Sequence, residues 1–468
     1  MTLRRVINCV QIFFAFGLLF GFGLLGQQNN PFQGSVPAGA VSPEPLALTL
    51  EDAIQRGLKF NLGLLESQTA SQTARAERIQ ALSALLPQVT GLISGTEEQI
   101  NLRTIGLNPP PPNPFFTIPA IVGPFRYVTA QANASAKVID FNARRNLDSA
   151  RANEEAARLS VQASHDLVVQ AVANAYLLVI ADSSRVAAIK AQVDTDQALY
   201  NRAVDQKTAG VAAGIDVLRA QVQLKIQQQA LLAQQNQLDK DKLALGRTIG
   251  LPPAQVFRVA ATAPFSPITG ITLEQALHTA LAERPDYQSS KKLVEAAQQT
   301  LAAARAEWYP TVDVNGYFGA TGPSPANSHS VFSVTASLNF NIYNGGRIHA
   351  DVEKARAALK QRSDELADLG GQIEVEVRDA FLDLQSTVDQ VAVARDNLVL
   401  ANQTLDQARD RFSAGVTDNI EVVQAQGSVA TANDNLIAAL YANNLAKVSL
   451  ARAMGMAEQR VRKFIEVK

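Results

Sequence analysis

Residues 142–209 read NARRNLDSARANEEAARLSVQASHDLVVQAVANAYLLVIADSSRVAAIKAQVDTDQALYNRAVDQKTA. These 68 residues contain no glycine and no proline, and 16 of them are alanine. Most of the others are Gln, Asn, Asp, Arg, Leu and Val, which form helices or are tolerated in them. One unbroken helix of this length would be on the order of 100 Å long. Globular helices run to roughly 8–20 residues, so a compact core does not call for such an element. The run breaks at Thr208-Ala209-Gly210-Val211, and helical pattern resumes at Gly214 and continues to Leu245. The simplest geometry is a long antiparallel hairpin with a tight tip at Gly210. Such an object builds a rod, a coiled coil or the wall of a tube.

The chain repeats itself around this stretch. Leu48-Thr49-Leu50-Glu51-Asp52-Ala53-Ile54 returns 223 residues later as Ile271-Thr272-Leu273-Glu274-Gln275-Ala276-Leu277, and Pro87 returns as Pro310. Further on the shift is 205: Ala150-Arg151 matches Ala355-Arg356, Ala209-Gly210-Val211 matches Ala414-Gly415-Val416, Ala220-Gln221 matches Ala425-Gln426, and Gly250 matches Gly455. The difference places 18 extra residues in the first repeat, with the proline-rich stretch Asn108 to Pro124 as the candidate. Each repeat reads helix, helix, two strands, long helix, tip, shorter helix. The first repeat is expected over 41–250, with strands at about 88–102 and 127–139, a long helix at 142–209 and a helix at 214–246. A linker follows at 251–270. The second repeat is expected over 271–455, with strands at about 311–319 and 331–343 and helices at 347–413 and 418–453, before a tail at 456–468.

The strands rest on period-two alternation. Val128, Ala130, Ala132, Ala134, Ala136 and Val138 share one face, and Tyr127, Thr129, Gln131, Asn133, Ser135 and Lys137 the other. Phe332, Val334, Ala336, Leu338, Phe340 and Ile342 alternate with Ser333, Thr335, Ser337, Asn339 and Asn341. Thr311 to Phe318 behaves likewise, and Gln88 to Ile93 more weakly. Strands of about 9–11 residues with one apolar and one polar face suit a transmembrane β-barrel around a wet lumen. A soluble antiparallel sheet with one solvated face has the same pattern. Trp308, Tyr309, Tyr317, Phe318, Phe125 and Tyr127 lie near strand ends, where interfacial aromatics sit. Four strands cannot close a barrel, since small barrels have about eight, and lipid tolerates no open edge. Several copies must therefore pool their strands.

The first 40 residues read as an export signal. Arg4 and Arg5 give the basic region, Ile12 to Leu25 the apolar region, and Ala38-Gly39-Ala40 a cleavage site, with a cut nearer Gly26 as the alternative. No apolar run of about 18 residues is expected after Ala40. The single cysteine, Cys9, precedes the apolar region, which leaves no disulfide or cysteine metal site. A net charge of −1 gives no footing for nucleic acid. His165, His278, His329 and His349 are scattered without metal-ligand spacing, and Gly21-Phe22-Gly23-Leu24-Leu25-Gly26 matches a dinucleotide pattern only inside the leader. No catalytic constellation and no cofactor site is expected.

With these features in place the chain, from about Leu48 to Gly455, resembles the TolC-like outer-membrane efflux family. The resemblance rests on the duplicated openings, the paired prolines, the two tips, and Tyr343-Asn344-Gly345-Gly346-Arg347. That stretch is similar to the family's aromatic-Asp-Gly-Gly-Arg motif, with Asn344 in place of the acid. The resemblance implies a homotrimer, mainly α with a 12-stranded transmembrane β-barrel in outer-membrane lipid and a long α-helical barrel in the periplasm. It further implies a passive duct served by an inner-membrane transporter and a periplasmic adaptor protein, for efflux or type I secretion.

The tips Gly210, Val211, Gly415 and Val416 are then the expected adaptor contacts, although glycine at a helix C-cap explains the turns equally. Asp216 and Glu421, each six residues past a tip glycine, would form an acidic ring at the narrow end, favouring cations. As acids in the first turn of a helix they are also stabilised by its dipole. The family's closed state resembles a lock between the first acid, a Tyr three residues before the second tip glycine and an Arg two after it. Here Phe412 and Thr417 stand at those positions, with no hydroxyl and no charge, and Arg411 is the candidate substitute partner. The competing reading is a periplasmic coiled-coil adaptor or scaffold, which usually carries one hairpin between split β-domains and no whole-chain duplication.

Overall fold

A computed structural model describes residues 30–106, 119–211, 213–259, 265–268, 270–414, 416 and 419–465. The leader residues Arg4, Arg5, Cys9 and Ile12 to Gly26 lie outside them, as do Gly415, Thr417 and residues 108–118 of the proline-rich stretch. In chain order the elements are β1 (Leu46–Leu48), α1 (Leu50–Phe60), α2 (Leu62–Ser83), β2 (Gln88–Asn101), β3 (Ile121–Ile139), α3 (Phe141–Thr208) and α4 (Gly214–Thr248). They continue with β4 (Phe257–Val259), α5 (Leu273–Glu283), α6 (Pro285–Ala306), β5 (Thr311–Gly322), β6 (His329–Asn339), α7 (Arg347–Ser413), α8 (Asn419–Ala453) and α9 (Ala457–Phe464). Helix lengths match between the halves: 11 and 11 residues for α1 and α5, 22 and 22 for α2 and α6, 68 and 67 for α3 and α7, and 35 and 35 for α4 and α8.

The repeated Leu-Thr-Leu-type opening has a local cause. Thr49 Oγ1 accepts from Asp52 N at 3.1 Å, and Thr49 N donates to Asp52 Oδ2 at 3.3 Å. Thr272 and Gln275 repeat the exchange at 3.3 and 3.2 Å. Both are capping boxes, which satisfy N-terminal amides that a helix leaves without partners.

The chain divides into two compact units. One comprises 68–162 and 284–374 and holds the four-stranded sheet, in the order β2-β3-β5-β6, all antiparallel. Its helices pack through small residues. Ala152, Ala156, Ala296 and Ala303 are buried. Ser289 Oγ donates to Ala156 O at 2.8 Å, and Ser149 Oγ to Ala296 O at 3.0 Å. Arg347 follows Gly345 and Gly346, both at positive φ, and pairs with Glu307 at 2.8 Å and Asp351 at 3.0 Å. The Gly-Gly-Arg stretch thus reverses the chain out of β6 and pins the start of α7.

The other unit comprises residues up to 67, 163–283 and 375 onward. At its centre Tyr176 is fully buried and donates its hydroxyl to Leu48 O at 3.0 Å. Gly57 lets α1 approach α3, since a Cβ there would lie 2.6 Å from Val172 Cγ2. This part of α3 corrects the expectation that no apolar run of membrane length follows the leader. One 18-residue window of α3 is apolar enough to cross a membrane, and just over half of it is buried. Val168, Val169, Val172, Ala173, Val179 and Ile180 are packed inside the protein.

Four other expectations change. The linker contains β4, which pairs in parallel with β1. The tail folds as α9, with Ala457, Val461 and Ile465 buried at a helical spacing of four. β3 starts at Ile121, so residues 121–124 of the proline-rich stretch are strand; Pro124 sits before the pairing with β5 begins at Val128. β6 ends at Asn339 opposite Thr311, because Pro310 has no amide to continue the ladder. Phe340 and Ile342 therefore lie beyond it.

Candidate functional site

Two features stand out: the ends of the helical hairpins and the two faces of the sheet. At the first tip, Gly210 has φ +74°, Gly210 N donates to Lys207 O at 3.0 Å and Val211 N to Gln206 O at 2.9 Å. At the second, Ala414 N donates to Asp410 O and Val416 N to Arg411 O, both at 3.0 Å. The bond from the residue after the glycine back over five positions is the Schellman arrangement in both repeats. It leaves Val211 76 % and Val416 69 % exposed, one apolar knob on each turn.

Behind the knobs, Ile215, Leu218 and Val222 of α4 face Ile420 and Val423 of α8 across a groove of about 360 Å³. Spacings of three and four put the α4 side chains on one stripe. The tip glycines alone did not reveal this groove, but the stripe was legible in the sequence.

The charged tip residues are distributed unequally. Asp216 Oδ1 lies 3.4 Å from Arg219 Nη1, one turn along its own helix. Arg411 Nη1 lies 3.1 Å from Glu421 Oε1, across the second hairpin. Within this chain Arg411 therefore meets the second acid, not Asp216. Phe412 packs with Leu199 of α3 on a cluster of Ala401, Leu405, Ala408, Val422, Ala425 and Val429.

In the sheet, register decides what alternation leaves open. Phe332, Phe318, Ala132 and Gly91 are successive cross-strand partners, as are Val334, Gly316, Ala134 and Val89. Directly opposed residues share a face, so the apolar sets of all four strands fall together. Thr335, Asn315, Ser135 and Gln88 lie in line on the opposite face. The apolar face is open: Ile93 is 84 % exposed and Phe332 76 %. Tyr317 pairs with Asn133 and Ser333, and Tyr127 with Thr96, so both belong to the polar face. For Tyr127 this is the face that alternation predicts, and the register places Tyr317 on it as well. Phe125 shares the parity of Tyr127 and stacks on it with centroids 6.3 Å apart. Among the described residues neither β2 nor β6 has a partner on its outer edge.

The family model "Outer membrane efflux protein" matches residues 53–251 and again 276–456. The chain belongs to the outer membrane efflux protein family. The toluene efflux pump outer membrane protein TtgC of Pseudomonas putida is 26 % identical over 319 residues, covering 65 % of this chain and 63 % of TtgC. The chain thus spans less than two thirds of that relative's length. Among solved structures, the outer membrane protein VceC of Vibrio cholerae superposes with a TM-score of 0.73 at 18 % identity, over 87 % of this chain and 96 % of VceC. The Campylobacter jejuni CmeC outer membrane channel gives 0.75 at 17 %, over 92 % and 93 %. These likenesses are likenesses of fold. For this efflux-family member they make the mostly helical architecture that of TolC-like channels.

Proposed function

We propose that this outer membrane efflux protein is the passive duct of a tripartite export system. The observation that carries the proposal is the sheet: four strands, one face apolar and exposed, the other polar, both edges free. In water such a face would stand as an apolar patch calling for a partner. In lipid the free edges are forbidden. Three copies joined edge to edge, giving 12 strands, satisfy both conditions. The polar face then lines the lumen. Glu97 and Arg126, paired at 3.1 Å at the far end of the β2–β3 ladder, lie on the lipid side where headgroups begin.

The hairpins supply the periplasmic portion. Val211 and Val416, with Gly210 and Gly415 in their turns, contact a periplasmic adaptor, and the groove of Ile215, Leu218, Val222, Ile420 and Val423 takes an apolar stripe of its helical hairpin. Asp216 and Glu421, with Arg411, Phe412 and Thr417, set the width and charge of the aperture. An inner-membrane transporter supplies the energy and selects the cargo. The leader directs export, with cleavage between about residues 26 and 40. Family membership sets aside the adaptor reading.

Imaging of the detergent-extracted protein tests the assembly. The expected particle is a hollow threefold cylinder with a helical section on the order of 100 Å. A solid rod, or a protein that stays in solution without detergent, overturns the proposal.

A further inference from the structure

Asp182 of α3 is 2 % exposed. Its Oδ1 accepts from Arg185 Nη1 at 3.0 Å and from Gln234 Nε2 of α4 at 3.0 Å. Arg185 also turns its Nε to Asp434 of α8 at 2.9 Å. Asp241 of α4 also bears on Asp182 and raises its carboxyl, and Gln237 Nε2 donates to Asp241 Oδ2 at 2.9 Å. Two ionised carboxylates have no donor between them, so a bond between these two needs a proton on one. The remaining titratable neighbour, Tyr441 of α8, is pushed up by burial and stays neutral.

With Asp182 ionised, Asp182, Asp241 and Asp434 present three anions to the single cation Arg185. With it protonated they present two, and Asp434 is largely solvated. Burial first, and then Asp241, raise the Asp182 carboxyl above the usual carboxylate range, while Arg185 pulls the other way. At the same level the second repeat has no carboxylate at the two equivalent positions, and its buried ionisable group is Lys447, whose ammonium burial lowers to about 8. The position 205 residues after Asp182 is Thr387 and that after Asp241 is Ala446. Thr387 Oγ1 accepts from Asn443 Nδ2 at 3.2 Å, a neutral bond between α7 and α8.

We propose that Asp182, Asp241, Arg185 and Asp434 form a proton-dependent clasp binding α3 and α4 of the first repeat to α8 of the second, while the Thr387–Asn443 bond joins the second hairpin through groups that do not titrate. A buried acid whose folded form holds its proton more tightly stabilises the packing as pH falls through its raised pKa, and that stabilisation is lost as pH rises through it. The clasp tightens as pH falls and slackens as pH rises.

Amide hydrogen exchange on the full-length protein tests this at about pH 5.5 and about pH 7.5, with rates corrected for intrinsic exchange. Protection over residues 178–186 and 236–243 is expected to be greater at the lower pH, by up to about tenfold per unit of pKa shift. The stretch 383–391 around Thr387 serves as the internal control and is expected not to change. In Asp182→Asn the difference should vanish, with protection high at both pH values. If that variant does not fold, Asp241→Asn replaces it. Its amide can donate to an ionised Asp182, so the pH difference should shrink to the part that burial alone supplies. Equal protection of the wild type at both pH values overturns the clasp, as does an undiminished difference in either variant. The readout involves no transport, so it stands or falls separately from the duct.

Discussion

Arg411 Nη1 sits 3.1 Å from Glu421 Oε1 and joins the two arms of the second hairpin directly behind its tip. The positions 205 residues earlier are Gln206 and Asp216, and there the acid pairs along its own helix with Arg219 instead. Two hairpins with the same turn therefore differ in how their arms are held. Only one of these two pairs can be broken by a change on the opposite arm.

Arg411→Glu is expected to raise the resting conductance of the reconstituted channel several-fold, and Glu421→Arg in the same chain to lower it again. Both side chains are substantially exposed, so the pair contributes little to stability, on the order of 0.2–1 kcal/mol. Thermal unfolding should barely move. Planar-bilayer recordings of the single and double variants supply the check, and a charge swap that fails to restore the resting state counts against the pair.

Phe332→Arg places a cation on the open apolar face, while Thr335→Arg places one on the polar face. Near the middle of a bilayer the former costs roughly 2–4 kcal/mol per copy. Phe332→Arg is expected to abolish heat-modifiable assembly in outer-membrane fractions, and Thr335→Arg to leave assembly intact. Equal sensitivity of the two faces would remove the basis for the proposed barrel.

Val211→Asp and Val416→Asp together are expected to eliminate co-purification of the proposed adaptor while leaving the proposed trimer unchanged on size exclusion. The turns should survive, because Schellman bonds are made by backbone. Retained adaptor binding in the double variant would move the contact elsewhere.

Gly57→Ala is expected to destabilise the protein by roughly 1–3 kcal/mol through overpacking, since its Cβ would meet Val172 Cγ2 at 2.6 Å. Val172→Ala in the same chain should recover part of the loss. Denaturant midpoints of the two variants decide the matter.

Asp166 is 8 % exposed and accepts from Glu458 N at 3.2 Å, at the start of α9. Burial pushes its carboxyl up to about 6, against the pull of the α9 backbone amides. Its folded pKa lies above the unfolded value. The stabilisation it gives α9 is therefore complete below about 4 and is lost as pH rises through about 6. Hydrogen exchange in α9 should accelerate across that window beyond the intrinsic rate, and Asp166→Asn should flatten the profile.

How much of this was legible beforehand differs from element to element. The absence of glycine and proline from 142–209 determines a continuous α3, because nothing in it breaks the backbone ladder. The duplicated Thr-x-x-Asp/Gln openings determine helix starts, since both halves of each capping box lie within four residues. Alternation determined that each strand has two kinds of face. These are local properties, set by neighbours a few positions apart.

Tertiary structure decided the rest, because it concerns residues that are distant in sequence. Register alone brings Phe332, Phe318 and Ala132 of three different strands onto one surface and lines up Thr335, Asn315 and Ser135 on the other. β1 and β4 have three residues each, too few for periodicity, and pair across more than two hundred positions. The partner of Arg411 could not be read from spacing, since Asp216 and Glu421 occupy equivalent places in the repeat. Whether an arginine reaches one acid or the other depends on which helices stand side by side. The burial of Asp182 likewise depends on what packs around it, and the groups that surround it come from α3, α4 and α8, which only the folded chain brings together.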